Sequence, residues 1–184
     1  MSLMIYVPPL FFPLSKIHNP SDDTSVMHSL SSSIEIASRT EAGKILCSPR
    51  RCAEVGWLIS IGEPHDPFPA GYRNVQRRLR LLFADVVEDV SGPTEEHIAS
   101  LIRIAETINP TDGKVLIHCE AGISRSTAAA LILYTCWLGP EREREALDNV
   151  IQQRPYAMPN RRMVALADKL LAREGRLIAV VANI

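Results

Sequence analysis

Uninterrupted apolar segments alternate with amphipathic ones along most of the chain. Residues 56–62 and 114–119 are continuous apolar runs, as is typical of strands buried on both faces of a parallel sheet, and 77–83 is a third strand candidate. Residues 95–108 repeat apolar side chains at helical spacing. Residues 124–138 are apolar on nearly every side, which predicts a fully buried helix.

The two ends of the chain give further elements. Residues 4–7 favour a short strand, residues 19–33 a Ser- and Asp-rich loop, and residues 34–43 a helix that ends at Gly43. Pro140 opens a charged helix through Gln153. A last long helix is predicted from Asn160 to a stop at Gly175. Its inward stripe comprises Met163, Leu166, Ala167, Leu170 and Leu171.

Strands that alternate with helices predict an α/β fold. We expect a single domain over residues 1–184, with a central, mostly parallel sheet of about four to five strands flanked by helices. Residues 1–54 would form an amino-terminal extension of that domain. A functional loop would lie between a central strand and the buried helix.

Composition narrows the function classes. The 184 residues carry a net charge of −1, and no basic stripe with interleaved aromatic residues indicates nucleic-acid binding. The apolar runs are too short to span a bilayer, so no membrane association is expected. Four irregularly spaced cysteines make neither a disulfide framework nor a zinc site, and His65 has no second ligand at useful spacing. We therefore expect no metal, no cofactor and a reducing, cytoplasmic location.

The stretch "HCEAGISRST" (118–127) lies where a predicted buried strand ends and the buried helix begins. Loop amides and a helix N-terminus at this place form a cradle for a dianion. Gly122 permits a positive φ, and Arg125 in the first helical turn can bind two phosphate oxygens. The same field favours the thiolate of Cys119. These features predict phosphoryl transfer through a phosphocysteine intermediate.

The same stretch resembles the HCxxGxxR(S/T) signature of the cysteine-dependent protein tyrosine phosphatase superfamily, and "AGISRS" is most similar to its dual-specificity branch. "RPYAMPN" (154–160) is similar to the segment that follows the loop helix in those enzymes. The resemblance covers residues 55–172 in order and is weak in the amino-terminal third.

The resemblance implies a role for each residue of the signature. Cys119 would attack phosphorus, Arg125 would hold the equatorial oxygens, and Ser126 would donate a hydroxyl to the sulfur. His118 would hydrogen-bond to the loop and tune the thiolate. The phosphate-binding backbone would comprise Glu120, Ala121, Gly122, Ile123 and Ser124.

The leaving group needs a proton donor, which in this family is an aspartate after an upstream strand, about thirty residues before the cysteine. "LLFADVVEDV" offers Asp85, Glu88 and Asp89. Asp85 is favoured because it directly follows the predicted strand, and Asp89 remains the alternative. Asn160 is interpreted mainly as an N-cap, with support of the site as a second role.

The sequence therefore predicts a metal-free phosphatase of the tyrosine and dual-specificity type, acting on phosphotyrosine or phosphoserine/threonine in proteins. The loop carries Glu120 and Ile123 where lysines would indicate phosphoinositides. One alternative is a non-catalytic phosphate-binding module or pseudophosphatase, and another is a sulfur-transfer enzyme. Either Cys47 or Cys52 could protect Cys119 reversibly. The oligomeric state stays open.

Overall fold

A parallel sheet forms the centre of the computed structural model, which describes residues 33–87, 90–109 and 112–184. Its strands are β1 (Ile34–Ser38), β2 (Val55–Gly62), β3 (Arg78–Leu82) and β4 (Lys114–Cys119), in the spatial order β1–β4–β2–β3. All three neighbouring pairs are parallel. The prediction of a parallel sheet of four to five strands in an α/β domain is confirmed.

Helices cover both faces of this sheet. They are α1 (Arg39–Cys47), α2 (Pro49–Cys52), α3 (Glu95–Thr107), α4 (Arg125–Leu138), α5 (Glu143–Gln153), α6 (Arg161–Leu170) and α7 (Arg176–Val181). The larger hydrophobic cluster joins one face of the sheet to α3–α7, and a smaller cluster joins the other face to α1. Both faces of the sheet are therefore buried, as continuous apolar strands require.

Strand β4 shows how the sequence divides between these two clusters. Val115 and Ile117 belong to the larger cluster, whereas Leu116 belongs to the smaller one. Successive side chains of a strand point to opposite faces, so an unbroken apolar run is what a central strand needs. Helix α4, which follows the loop after β4, is buried along almost its whole length. The predicted loop between a central strand and a buried helix is therefore confirmed.

The prediction of a helix over residues 34–43 is wrong. Residues 34–38 form β1, which pairs with β4, and Ser38 then caps α1 by accepting from the backbone N–H of Glu41 at 3.2 Å. Ile34 and Ile36 face the larger cluster at the two-residue spacing of a strand, and Ala37 faces the smaller cluster on the opposite side of the sheet. Gly43 is a buried residue inside α1 and does not end it.

The last predicted helix is also divided. Helix α6 ends at Leu170, and Gly175, with a φ of +84°, precedes a separate α7. Leu170 is exposed, whereas Met163 and Ala167 face the core as predicted. The strand predicted at residues 4–7 and most of the loop predicted at 19–33 lie outside the described residues.

A buried carboxylate holds α7 against the end of α6. Asp168 accepts hydrogen bonds from the backbone N–H groups of Gly175 at 2.7 Å, Leu177 at 2.9 Å and Ile178 at 3.4 Å. These are amides of the first turn of α7, which have no partner inside a helix. The position of α7 is therefore fixed by α6.

Within the described ranges, no helix combines the length and apolar character needed to cross a bilayer.

Candidate active site

The thiol of Cys119 lies at the end of β4, facing the first turn of α4. The residue is 2% exposed. Its Sγ accepts a hydrogen bond from the backbone N–H of Gly122 at 3.3 Å and lies 3.2 Å from the hydroxyl oxygen of Ser126. The sulfur therefore has hydrogen-bond partners on two sides, one from the loop and one from the helix. The structure brings together Cys119, Gly122 and Ser126 as predicted.

Gly122 can have no side chain in this loop. Its φ is +75°, and a Cβ atom built on it would lie 2.7 Å from the nitrogen of Ser38 and 2.8 Å from the carbonyl carbon of Ala37. Both neighbours are backbone atoms at the end of β1. The loop backbone therefore packs directly on the β1–α1 junction, an approach that only glycine allows.

A second contact ties the loop to α1. The backbone N–H of Arg39 donates to the carbonyl of Glu120 at 3.1 Å, and the Arg39 guanidinium pairs with the Glu120 carboxylate at 3.0 Å. Glu120 therefore points away from the thiol towards α1. Arg39 was not identified from the sequence, because residues 34–43 were predicted as one helix and the strand that places it was missed.

Arg125 is the buried cation of the site. The residue is 4% exposed, and its Nη1 donates to the carbonyl of Phe83 at 2.9 Å. Its Nε lies 3.7 Å from Oδ2 of Asp85. A buried guanidinium held by a carbonyl has a fixed direction, which suits it to parallel hydrogen bonds with an oxyanion.

Asp85 lies beside Arg125 on the segment that follows β3. Its Oδ1 accepts from the hydroxyl of Ser124 at 2.7 Å and from Nδ2 of Asn160 at 2.8 Å. Of the acid candidates, Glu88 and Asp89 lie outside the described residues. The structure brings Asp85 to the rim of the loop, and the contact with the Ser124 hydroxyl was not foreseen from the sequence.

Asn160 has both of the roles considered for it. Its Oδ1 accepts from the backbone N–H of Met163 at 3.1 Å and so caps α6, while its Nδ2 donates to Asp85. The residue is almost fully buried. One amide side chain therefore connects the start of α6 to the carboxylate beside the loop.

The segment before Asn160 also supports the loop. The backbone N–H of Met158 donates to the carbonyl of Ile123 at 2.9 Å, and that of Asn160 lies 3.4 Å from the carbonyl of Ser124. Thr127 adds hydroxyl contacts to the same two carbonyls. The outer half of the loop is thus held by residues 154–160, the segment singled out from the sequence.

His118 is buried and contacts the backbone of Cys119. Its Nδ1 donates to the Cys119 carbonyl at 3.2 Å, and in the described part of the chain no hydrogen bond joins the ring to the sulfur. Burial lowers the pKa of the imidazole from 6.5 to about 4, the Cys119 hydrogen bond opposes this, and the cations of Arg80 and Arg39 add to it. His118 is therefore neutral near pH 7.

All four cysteines are free thiols; Cys47 is exposed and Cys119 is buried. Across residues 33–87, 90–109 and 112–184, no group of three or more His, Cys, Asp or Glu side chains is placed to hold a metal ion.

No protein-family model matches the chain. It is 32% identical over 95 residues to human dual specificity protein phosphatase 5, a match that covers 47% of this chain and 24% of that protein. The matched segment therefore spans about a quarter of the relative's length.

Solved structures give the fold. Human DUSP28 superposes with a TM-score of 0.61 at 22% identity, covering 78% of this chain and 90% of that chain. Tk-PTP in its active form gives 0.61 at 20% identity, covering 78% and 95%. The chain has the fold of these phosphatases, and the predicted resemblance to the tyrosine phosphatase superfamily, in its dual-specificity-like branch, is confirmed.

The burial of neutral His118 predicts a loss of stability in acid. The unfolded chain protonates this residue below its ordinary pKa of 6.5, whereas the folded chain resists protonation down to about 4, so stability falls as the pH drops through this window. Between about pH 7.5 and about pH 5 this difference amounts to about 2 kcal/mol. Urea unfolding at both pH values should show that the free energy of unfolding falls less in His118→Asn than in the wild type.

The exposed His65 gives the matched control, since His65→Asn should keep the wild-type pH dependence. An equal loss in His118→Asn and the wild type would contradict the assigned environment of His118.

The two contacts of Asn160 can be separated by substitution. Serine is as good an N-cap as asparagine but lacks the amide that reaches Asp85. Asn160→Ser should therefore keep the cap and lose only the hydrogen bond to Asp85, about 1.5 kcal/mol of stability. If Asp85 is the acid, as the sequence predicts, Asn160→Ser should also lower kcat on an aryl phosphate about tenfold with KM nearly unchanged, because Asp85 is then less well positioned.

Asn160→Ala should lower kcat similarly and in addition lose about 1 kcal/mol of stability with the cap. Wild-type kcat in Asn160→Ser would show that the contact with Asp85 has no part in turnover.

Proposed function

We propose, from the phosphatase fold and the geometry of the loop, that the protein hydrolyses phosphate monoesters through a phosphocysteine intermediate. One observation carries this proposal: the Cys119 sulfur, the Arg125 guanidinium and the Asp85 carboxylate meet at one loop, with Arg125 and Asp85 3.7 Å apart. A nucleophile, an oxyanion-binding cation and a proton donor are the groups that this reaction needs.

In the first step, the Cys119 thiolate attacks phosphorus in line with the ester oxygen. The S–P bond forms as the P–O bond breaks, and Asp85 gives its proton to the leaving oxygen. Arg125 and the loop amides from Glu120 to Ser124 hold the equatorial oxygens, where charge spreads in the transition state. The Gly122 N–H stabilises the thiolate before attack.

In the second step, water attacks the phosphocysteine. Asp85, now ionised, takes a proton from the water as the O–P bond forms and the S–P bond breaks. The electron pair returns to the sulfur, which the Ser126 hydroxyl stabilises from 3.2 Å. Inorganic phosphate leaves and the thiolate is restored. Neutral His118 supports this cycle indirectly, by fixing the carbonyl of Cys119.

The substrates we propose are phosphorylated proteins, on tyrosine or on serine/threonine. Support comes from the similarity to dual specificity protein phosphatase 5 and from a loop with Glu120 and Ile123 where a phosphoinositide enzyme would gain from cations. The exposed Glu120 carboxylate, already paired with Arg39, disfavours a polyanionic headgroup. A cytoplasmic location fits the need to keep Cys119 reduced.

The rival function is a module that binds phosphate without turnover. Such a module needs Arg125 but neither the thiol nor the acid. Here Cys119 has two hydrogen-bond partners at its sulfur, and Asp85 is held by three side chains: Ser124, Arg125 and Asn160. These contacts favour catalysis over binding alone.

Kinetics with two aryl phosphates test the roles of Cys119 and Asp85. Cys119→Ser should abolish release of nitrophenol from 4-nitrophenyl phosphate while keeping phosphate binding. Asp85→Asn should lower kcat about 100-fold, flatten the basic limb of the pH–rate profile, and cost more with phenyl phosphate, whose leaving group is poorer. Asp89→Asn should change little.

Cys47→Ser provides the control, because that thiol is exposed and remote in sequence from the loop. The opposite ranking of Asp85→Asn and Asp89→Asn would reassign the acid. Full activity in Cys119→Ser would overturn the proposed reaction.

A further inference from the structure

A cavity of about 380 Å³ adjoins the proposed acid. Asp85, Ser124 and Asn160 form its polar wall. The rest of the lining is mainly apolar and includes Val87, Ile123, Met158, Val181 and Ile184. The cavity therefore shares the three side chains that position the proton donor and extends from them over an apolar surface.

Hydrogen bonds hold the walls of this cavity in place. Met158 is tied to the loop through the carbonyl of Ile123, and α7, which brings Val181, is fixed by Asp168. Arg162 reaches back to the carbonyl of Val87 at 3.4 Å. The cavity is thus bounded by the acid segment, the loop, residues 157–161 and α7, each anchored to another.

The cavity lies beside the phosphate cradle. Its lining includes neither Cys119 nor Gly122 nor Arg125, which form the cradle itself. An in-line displacement places the leaving oxygen opposite the sulfur, and Asp85 must contact that oxygen to protonate it. Since Asp85 is also part of the cavity wall, whatever is attached to the leaving oxygen passes next to the cavity.

The apolar lining is unusually open to solvent. Val87 is 49% exposed, Met158 72% and Ile184 51%, and the side chain of Ile123 is also exposed. Large apolar side chains gathered round one concave surface are typical of binding sites, whereas scattered single ones are ordinary. Arg161 adds a cation at the lining.

We infer that this cavity binds an apolar side chain of the substrate protein, from the residue adjacent to the phosphorylated one. The inference rests on the proposed function, because it is the position of the leaving group that brings the substrate to the cavity. In an in-line displacement the phosphorylated side chain extends from the phosphate in the direction opposite the sulfur. The side chain that enters the cavity beyond Asp85 is therefore that of a neighbouring residue. The volume is at the small end for ligand pockets (about 300–1,000 Å³), which suits a single side chain.

Matched phosphopeptides test this inference. Two peptides differ only in the residues on either side of the phosphorylated one, which are leucine in the first and asparagine in the second. Each is made with phosphotyrosine and with phosphothreonine, and 4-nitrophenyl phosphate serves as the substrate without neighbours. For whichever phosphorylated residue is turned over, we expect kcat/KM to be at least about tenfold higher with leucine, because apolar surface is buried on binding.

Substitutions in the lining should remove this preference. Met158→Gln changes only an exposed side chain and keeps the backbone N–H that holds the carbonyl of Ile123. This variant and Ile184→Asn should each lower the leucine-to-asparagine ratio to below about threefold, while hydrolysis of 4-nitrophenyl phosphate stays at the wild-type rate. The matched control is Leu170→Gln, an exposed apolar residue on α6 that does not line the cavity, and it should keep the full ratio.

Equal kcat/KM for the two peptides, or an unchanged ratio in both lining variants, would overturn the inference and leave the proposed function standing if 4-nitrophenyl phosphate is hydrolysed. Failure to turn over either peptide beside an active 4-nitrophenyl phosphate assay would overturn the inference and the proposed protein substrates, and would leave only the hydrolysis of phosphate monoesters standing. Faster hydrolysis of a diacyl phospholipid phosphate than of the leucine peptide would overturn the inference, because it would show that the cavity takes a lipid chain instead of a peptide side chain. No turnover of any of these substrates would overturn both proposals.

Discussion

The packing of the loop backbone at Gly122 against the end of β1 is the contact on which the site depends. Gly122 has a φ of +75°, and backbone atoms of β1 lie less than 3 Å from where a Cβ would be, so the backbone of residue 122 is held against β1 in this conformation. That position directs its N–H to the Cys119 sulfur at 3.3 Å. The strand-to-helix turn thus forms a pocket whose backbone donor is already directed at the sulfur, so the proposed reaction would need little reorganisation.

A second network sets the acid side of the pocket. Asp85, Ser124 and Asn160 come from three separate segments, and the hydrogen bond from Asn160 to Asp85 joins positions 75 residues apart. Asn160 also caps α6, so the stability of a helix and the direction of a carboxylate depend on one side chain. The same network forms the polar wall of the apolar cavity. In the reaction we propose, it would couple recognition of a substrate to protonation of its leaving group.

Local sequence was sufficient for the strand, loop and helix around Cys119, since continuous apolar runs and a glycine between a thiol and an arginine are signals within one short stretch. It was insufficient for β1, because Ile34 and Ile36 become a strand only by pairing with Val115 and Ile117 of β4. The contact between Arg39 and Glu120 was missed for the same reason. Asp85 was one of three carboxylates in its segment, and its link to Asn160 exists only in the folded chain.

Alkylation of individual cysteines is the direct test of a thiolate at residue 119 within an oxyanion-binding loop. The rate of iodoacetamide modification, followed by mass spectrometry at Cys119 and at the exposed Cys47, should be measured across pH with and without orthovanadate. We expect Cys119, although it is the more buried thiol, to be alkylated faster than Cys47 near neutral pH and to be protected by vanadate, while vanadate leaves Cys47 unaffected. Alkylation of Cys119 that is no faster than that of Cys47 and is indifferent to vanadate would show that residue 119 is an ordinary buried thiol.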